Sequence, residues 1–374
     1  MLLRRWTLAA AGTTPHAAVA TLTTGCKLLP HRTLSSSSKP FTLEPLRDHR
    51  SFVRVHGTDS VSFLQGLMTN DMRHLEHSRS LYAMFLRVNG RVFCDALIYR
   101  HPAAPVAGTT DGGDFLLECD RAVAPRLEKH LKLYRLRKKV QVLAEETYQA
   151  WVAFVPDSEG ERPVVTLDGI TTGDRPDEER VQLYKDPRLP RLGYRVLIRD
   201  DTQAASMDRL LRLVPGVIAT DRPQYTPFRY SLGVGEGETN LPDGKCFPLE
   251  CNGDFLHGVS FQKGCYIGQE LTARTYHTGV IRKRLMPVQF TGGPSQALEG
   301  IAPEVLREAE IKTEDGAVVG KLRGYQGGHG LALLRVEKVL TGSTLTLTVL
   351  GIPGTIPCRT KKPFWWPNEL NARS

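Results

Sequence analysis

One cysteine stands in a setting that suits reactive sulfur chemistry. Cys265 follows Lys263 and Gly264, and a run of good helix formers, residues 269–274, comes shortly after it. This order predicts a loop that turns at Gly264 and enters a helix near Tyr266. Unpaired N–H groups at the start of that helix and the lysine ammonium would both stabilise a thiolate, the nucleophilic and metal-binding form of cysteine. The alternative is a buried, inert cysteine.

The residues around this cysteine carry a family resemblance. Residues 263–270 read Lys-Gly-Cys-Tyr-Ile-Gly-Gln-Glu and resemble the K-G-C-Y-x-G-Q-E signature of the YgfZ-type proteins. These are relatives of the aminomethyltransferase, or T-protein, of the glycine cleavage system. The resemblance extends upstream through residues 247–250 (Phe-Pro-Leu-Glu) and 186–194, and in weaker form it covers about 41–330.

The resemblance implies a fold, a function and partners. The fold would be α+β, with two T-protein-like α+β parts around a central cavity and a C-terminal β-barrel. In a mitochondrial chain the resemblance implies an iron–sulfur cluster assembly factor that acts late in [4Fe–4S] maturation of aconitase-like and lipoate-synthase-like enzymes. The implied partners are A-type iron–sulfur scaffold proteins, and the implied small ligand is a tetrahydrofolate.

Within this resemblance, Cys265 is the predicted contact for a [2Fe–2S] or [4Fe–4S] cluster shared transiently with a partner. Thiolate is a soft ligand that suits iron–sulfur iron, and a single ligand makes a site from which the cluster can be passed on. No catalytic residue is assigned. The residues expected to support the loop are Lys263, Gly264, Tyr266, Gly268, Gln269 and Glu270.

The other cysteines do not favour an intrinsic metal site. Four residues separate Cys246 from Cys251, a spacing that matches neither the zinc C-x2-C pattern nor a ferredoxin run. His257 and His277 flank the signature, but lone histidines are more often ordinary loop residues.

Three residues are candidates for a folate-like cavity. Asp95 follows Cys94 where the T-protein carries an Asp-Asp pair, one acid of which works on the folate, so the pair is broken here. Arg229 matches a T-protein arginine near the substrate cavity and could bind a carboxylate bidentately. Glu250, after a Phe-Pro-Leu turn, could hold a pterin-like edge. The alternatives are an acid at a sheet edge, a structural arginine and a loop carboxylate that caps N–H groups.

The N-terminal residues have the composition of a mitochondrial transit peptide. The first acid is Glu44, and residues 1–38 carry four cations and a serine tract. We therefore predict a transit peptide at 1–38 and a location in the mitochondrial matrix, with a disordered tail as the alternative. Without those four cations the formal net charge of +9 becomes +5, which is too weak alone to argue for nucleic acid.

Composition also limits the partners. No apolar run reaches the roughly 18 residues that span a bilayer. Seven cysteines without a paired C-x-x-C suit a reducing compartment. We expect no nucleic-acid partner, no membrane partner and a monomer when the protein is alone.

Three domains are predicted after the leader, at 41–150, 151–281 and 282–374. The first contains strands at 51–56, 81–88, 91–100, 115–119 and 140–144, a helix opening at 57–58 and a second helix at 121–137. Asn89-Gly90 is the turn chemistry of a two-residue hairpin. This order suggests helices layered on an antiparallel sheet.

The helix predicted at 121–137 is strongly basic, with Glu128 as its one acid. Its core side would be Val123, Leu127 and Leu131, which makes the cations a solvated face. The alternative is a docking face for an acidic partner or a polyglutamate tail. The cations are Arg121, Arg126, Lys129, Lys132, Arg135 and Arg137.

The later domains combine loops with short strands. A strand is predicted at 194–198, a helix at 202–214 and a helical turn within 223–233. Two further segments are expected to line the central cavity. They are residues 186–192 and the Gly-rich passage that holds Glu236, Asn240, Glu250 and Asp254. Strand-like runs at 285–290, 317–322, 331–336 and 345–350, separated by turn residues, predict a small β-barrel or sandwich. The Phe-Trp-Trp run at 364–366 would close it.

Two competing functions remain open. A folate-dependent aminomethyl transferase needs an acid to move protons and a folate pocket. The broken pair at Cys94-Asp95 counts against it, and the Cys265 signature, absent from the T-protein, counts for the assembly factor. An RNA- or protein-docking module would use the basic helix, which lacks interleaved aromatics for stacking bases.

Overall fold

The computed structural model describes residues 41–101, 112–156, 181–199, 218–220, 222–279, 281–291, 298–340 and 344–368. The chain divides into two compact units, Met1–Ser38 and Lys39–Ser374, and every described residue lies in the second. The predicted transit peptide, the helix predicted at 202–214 and most of the Gly- and Pro-containing loop before residue 181 lie outside the described residues.

The first sheet confirms the predicted antiparallel layer. Its strand order is β3-β4-β5-β2-β6, and Asn89-Gly90 lies in the turn between β3 and β4, with Gly90 at φ +78°. The predicted two-residue hairpin is wrong, because the Arg87 amide donates to the Arg91 carbonyl and closes a longer loop over residues 88–90. Two helices, α1 (Ser60–Gln65) and α2 (Ala124–Tyr134), pack on one face of this sheet. The strands are β2 (Arg50–Gly57), β3 (Ser80–Leu86), β4 (Val92–Arg100), β5 (Gly113–Asp120) and β6 (Gln141–Glu145).

The other face of this sheet packs against a second five-stranded sheet of order β10-β1-β7-β9-β8. Because both faces of β3 and β4 are covered, these strands are nearly continuous apolar runs rather than alternating ones. The edge strand β10 pairs in parallel with β1. The strands of the second sheet are β1 (Thr42–Pro45), β7 (Tyr148–Phe154), β8 (Val181–Lys185), β9 (Tyr194–Arg199) and β10 (Ile218–Ala219).

The C-terminal residues form a closed barrel of order β11-β14-β13-β12-β15-β16, which confirms the predicted barrel. Trp366 is buried in its core, and the Trp365 indole N–H donates to the Leu232 carbonyl, which lies outside the barrel. Phe364, which was expected to close the barrel with them, is 49% exposed. The strands are β11 (Lys283–Phe290), β12 (Glu310–Thr313), β13 (Val318–Gln326), β14 (His329–Arg335), β15 (Leu345–Thr348) and β16 (Ile356–Thr360).

Short helices connect the sheets and the barrel. They are α3 (Tyr225–Ser231), α4 (Gly237–Asn240), α5 (Gln269–Thr278), α6 (Pro303–Glu308) and α7 (Val336–Val339), with 3-10 turns at Met72–Glu76 and Pro190–Leu192. Among the described residues, none of these helices is long and apolar enough to cross a bilayer.

Several predicted boundaries are wrong for local reasons. The basic helix runs over Ala124–Tyr134 rather than 121–137, because the Asp120 carboxylate accepts from the Ala122 amide in a turn before it and Leu136 adopts a positive φ of 47° after it. The signature helix begins at Gln269 instead of near Tyr266, because Gly268 takes a left-handed conformation. The Gly-rich passage expected to line the cavity contains the four-residue helix α4.

Candidate functional site

The signature loop lies along a single stretch of the first domain, residues 65–70, which we call the cradle segment. The Ser260 amide donates to the Thr69 carbonyl at 3.0 Å, and the Thr69 hydroxyl donates to the Gly258 carbonyl at 2.6 Å. Further along, the Ile267 amide donates to the Gly66 carbonyl at 3.1 Å. Two chain segments almost 200 residues apart in sequence are thereby held side by side.

Lys263 is the strongest of these ties. Its ammonium donates to three cradle carbonyls, those of Gln65 at 2.6 Å, Met68 at 2.6 Å and Asn70 at 2.8 Å. An ammonium has three protons, so its donor capacity is fully used. Burial lowers the pKa of Lys263 to about 8, so the ammonium still predominates at neutral pH. The ring of Tyr266 lies 4.8 Å from the ammonium nitrogen and adds a cation–π contact.

This geometry corrects the expected stabilisation of a thiolate. Lys263 directs its protons to backbone carbonyls rather than to the sulfur. The helix begins four residues after Cys265, and the nearby amides are already paired: that of Tyr266 donates to the Gln269 side-chain oxygen and that of Ile267 to Gly66. Lys263 and Gln269 therefore hold the loop, and neither they nor the helix N-terminus are aimed at the sulfur.

Cys265 occupies the apex of a loop that is pinned on both sides. The ties at Lys263 and Ile267 leave residues 264–266 between them, and Cys265 is exposed. A methyl group placed on Gly264 would meet no atom within 4 Å, so the apex stands clear of the protein body. Glu270 is exposed in the first turn of α5, where a carboxylate is favourable.

Gly268 closes the loop where no other residue fits. Its φ is +78°, and a Cβ at this position would lie 2.4 Å from the Arg87 carbonyl oxygen and 2.9 Å from the Leu86 Cβ. The loop therefore presses directly on the hairpin between β3 and β4. The predicted support residues Lys263, Gly268 and Gln269 thus each have an identifiable contact.

The remaining cysteines of the described residues are buried. Cys246 and Cys251 are each 2% exposed and hydrogen-bonded to each other, and burial, the larger effect, together with this contact raises the pKa of Cys251. Cys265 is the one exposed cysteine in the described part of the chain. In the same residues, no three His, Cys, Asp or Glu side chains gather as a metal site.

The three residues predicted for a folate-like cavity already form hydrogen bonds with other groups of the protein. Asp95 is 1% exposed and accepts from the Gly237 amide at 3.0 Å, and Arg229 is 5% exposed and donates to the Val234 carbonyl and the Asn240 side chain. Glu250 is half-buried and accepts from the Phe247 amide. Burial is the main cause that raises the pKa of both Asp95 and Glu250.

A buried ion network lies beside Asp95, and sequence reasoning missed it. Glu236 contacts Arg188 at 2.7 Å and also pairs with Arg195, which contacts Glu118 at 3.0 Å. Arg50 donates to the same Glu118 carboxylate at 2.8 Å. These side chains come from both sheets and the α3–α4 connection, so their spacing in the sequence does not predict that they form one ion network. Asp186, in the turn expected to shape a cavity wall, pairs with Arg188 at 2.7 Å, and Asp254 pairs with Arg284 at 2.7 Å.

A surface cavity of about 430 Å³ lies elsewhere, between α3 and the barrel. Tyr230, Thr239, Leu306 and Tyr325 are among its lining residues. Its lining contains neither Cys265 nor the three predicted folate residues.

The amino-acid sequence of this chain is similar to those of several known proteins. The iron–sulfur cluster assembly factor IBA57, mitochondrial, of Mus musculus is 39% identical over 335 residues, covering 86% of this chain and 84% of the mouse protein. The Homo sapiens protein of the same name is 40% identical over 330 residues, with the same shares covered. A homologue from Mycosarcoma maydis is 32% identical over 368 residues.

The chain belongs to the IBA57 family of mitochondrial iron–sulfur cluster assembly factors.

Membership of the IBA57 family confirms the predicted resemblance and the predicted mitochondrial location. Residues 282–368 match the family described as CAF17, C-terminal beta-barrel domain, which agrees with the observed barrel. The aminomethyltransferase T of the glycine cleavage system from Bartonella henselae has a TM-score of 0.62 and 13% identity, and the match covers 87% of this chain and 86% of that one. The IBA57-family chain therefore has the predicted T-protein-like α+β fold.

Proposed function

We propose that this IBA57-family protein acts late in [4Fe–4S] cluster maturation and shares a cluster with an A-type scaffold protein through Cys265. The target enzymes would be aconitase-like and lipoate-synthase-like. The observation that carries the proposal is the placement of Cys265: an exposed sulfur at the apex of a loop pinned at Lys263 and Ile267. The relatives' names support the assembly role, and the targets and the scaffold come from the resemblance.

The chemistry required of Cys265 is that of one soft ligand. A cysteine sulfur binds iron–sulfur iron well, and a cluster needs further ligands of the same kind. The buried pair Cys246 and Cys251 does not supply them, because both sulfurs are inside the protein. The scaffold would therefore provide the remaining ligands, and the cluster would be the cargo that passes between the two proteins.

The cradle segment explains how one ligand can be useful. A single sulfur on a mobile loop would have to be ordered each time a partner arrived, at a cost in conformational entropy. Here the three hydrogen bonds of Lys263 and the positive-φ Gly268 fix the loop before binding. The clear space at Gly264 leaves room for the partner and the cluster.

Folate binding remains a prediction, and the residues fit it only in part. One Asp95 carboxylate oxygen and the Tyr82 hydroxyl are buried without a hydrogen-bond partner in the described residues. A polar ligand group beside them would supply the missing hydrogen bonds. Arg229 and Glu250 use their hydrogen bonds on neighbouring backbone or side chains. We derive no chemical step through folate, and the transferase alternative stays an expectation from resemblance.

The test is cluster sharing by purified proteins. We expect that an apo chain without residues 1–38, mixed with a cluster-loaded A-type scaffold, changes the visible absorption and circular dichroism of the cluster and co-elutes with the scaffold. Cys265→Ser should abolish both effects while leaving the thermal unfolding temperature unchanged. Cys94→Ala, which removes a buried cysteine, is the matched control and should retain sharing. Unchanged spectra with the wild-type chain would contradict the proposal.

A further inference from the structure

The last turns of helix α2 and the residues directly after it carry several positive charges close together. Lys129, Lys132, Arg135, Arg137, Lys138 and Lys139 lie within eleven residues that contain no acid. Lys132 pairs with Glu128 at 2.5 Å and Lys138 donates to the Ser62 hydroxyl. In the described part of the chain, no side-chain hydrogen bond or ion pair is formed by the other four. The first half of the helix differs, because Arg126 is paired with Glu238 and Asp243.

Two leucines protrude from the middle of this charge. Leu133 is 71% exposed and Leu136 is 85% exposed, although the core side of the same helix is properly buried at Leu127 and Leu131. Leu133 lies one turn after Lys129, on the same helix face. Leu136 has a φ of +47°, a conformation that costs a leucine free energy and that glycine or asparagine would adopt more easily. A third leucine, Leu143 on edge strand β6, is 44% exposed.

We propose that this surface, the residue 129–139 patch, binds an anionic lipid bilayer peripherally, with Leu133 and Leu136 entering the headgroup region and the cations contacting lipid phosphates. Basic helices with apolar side chains on the exposed face behave in this way. The expectation of no membrane partner is based on the lack of a spanning segment, which a peripheral surface does not require. The patch becomes visible when the fold shows which leucines face outward.

Charge and shape favour lipid over a protein segment. A protein partner would need a matching set of carboxylates and a groove for side chains that stand clear of the surface, whereas an anionic bilayer offers phosphates at every position. Leucines that are 71% and 85% exposed protrude rather than line a groove. The patch also contains no aromatic that is fully exposed for stacking bases, since Tyr134 is half-buried against His130.

The experiment is vesicle flotation with the chain lacking residues 1–38, because a transit peptide would itself bind anionic lipid. Residues 39–374 form one compact unit, so this chain is a suitable folded sample. The vesicles are pure phosphatidylcholine and phosphatidylcholine mixed with phosphatidylglycerol. We expect flotation with the anionic vesicles alone, weakening as salt is raised because exposed charges are screened.

Two variants separate the contributions. Lys129→Glu with Arg137→Glu should lower the partition coefficient by about fivefold or more for each cation removed. Leu133→Gln with Leu136→Asn should lower it about tenfold or more, and Asn suits the positive φ, so folding is preserved. The matched controls are Leu350→Gln, at an 87% exposed leucine, and Lys245→Glu with Lys361→Glu, and these should float like wild type.

Absence of flotation, or flotation of both patch variants like wild type, would overturn the proposal. Binding of a glutamate-rich, leucine-containing peptide to the patch without any flotation would also overturn it, in favour of an acidic protein segment as the occupant.

Discussion

The tie between Lys263 and the cradle segment makes a prediction about how the Cys265 loop is held. We consider Lys263→Met, which keeps a long apolar side chain but removes all three N–H donors. The carbonyls of Gln65, Met68 and Asn70 then lose their partner. The loop should open locally while the two sheets stay folded, since their apolar cores do not include Lys263.

The size of the effect follows from those three bonds. A buried acceptor that loses its donor costs about 1–3 kcal/mol, but the loop is half-buried and water can replace part of each bond. We therefore expect a total of about 3 kcal/mol, at the low end of the summed range. At about 1.4 kcal/mol for each factor of ten, the open fraction of the loop should rise about 100-fold.

Amide hydrogen exchange measures this opening directly. The amides of Tyr266 and Ile267 are hydrogen-bonded within the pinned loop, so their exchange should accelerate by up to about 100-fold in the variant. The amides of strand β4, which lies between β3 and β5 in the sheet, should exchange as in wild type. Lys245→Met, at an exposed lysine, is the control and should change neither set. Cluster sharing through Cys265 should weaken in Lys263→Met and not in the control.

Two outcomes would refute this reasoning. Unchanged exchange at Ile267 would mean that the ammonium bonds do not hold the loop. Equal acceleration at Ile267 and throughout β4 would mean that Lys263 stabilises the whole domain rather than the loop.

Three further substitutions test the surroundings. Gly268→Ala should displace the loop and weaken cluster sharing, because a Cβ would lie 2.4 Å from a backbone oxygen at a positive φ; sharing at the wild-type level would argue against a fixed loop. Glu236→Gln should lower the unfolding free energy by about 3–5 kcal/mol by breaking buried pairs with Arg188 and Arg195. Burial would raise the pKa of Glu236, but these guanidiniums and that of Arg50 outweigh it and hold the pKa well below its usual range. The stabilisation is therefore present at neutral pH and lost as pH falls through the acid range, and chemical unfolding at several pH values should show a shallower acid loss in Glu236→Gln. Asp95→Asn is the comparison and should leave stability at neutral pH unchanged or higher.

The sequence predicts the strands of the first sheet and four of the six barrel strands from local signals, but β12 and β16 were not predicted. Asn89-Gly90 specifies a hairpin, and alternating or continuous apolar runs mark the strands on either side. The second sheet was largely missed. Its strand β1 pairs with β7 and β10, more than a hundred residues away, and β7 is an apolar run that lacks a neighbouring hairpin turn.

The sequence predicted which residues form the signature loop but not how its charged groups are directed. The signature identified Cys265, and Gly268 and Gln269 contribute as a loop closure and a cap. The prediction that the Lys263 ammonium stabilises a Cys265 thiolate is wrong in the direction that it gives the ammonium. Its partners are carbonyls within residues 65–70. The residues next to Lys263 in the sequence do not indicate which distant backbone segment the lysine contacts.

The charge balance of the buried network bears on the choice between an assembly factor and a transferase. Four guanidiniums, those of Arg50, Arg188, Arg195 and Arg229, act within or beside this network. With Asp95 counted, the buried carboxyl groups also number four, the others being Glu118, Asp186 and Glu236. Burial raises the pKa of Asp95, while the guanidiniums of Arg50 and Arg188 and the hydrogen bond from the Gly237 amide act in the opposite direction.

Aminomethyl transfer to or from a folate needs an acid–base group that exchanges protons with its substrate, whereas Asp95 is 1% exposed. Asp95→Asn has the size of the neutral carboxyl group, so we expect it to preserve stability at neutral pH, and we expect cluster sharing to be preserved because Cys265 lies on the exposed loop. A loss of more than about 2 kcal/mol at neutral pH would instead mean that Asp95 is ionised and paired with Arg50 or Arg188.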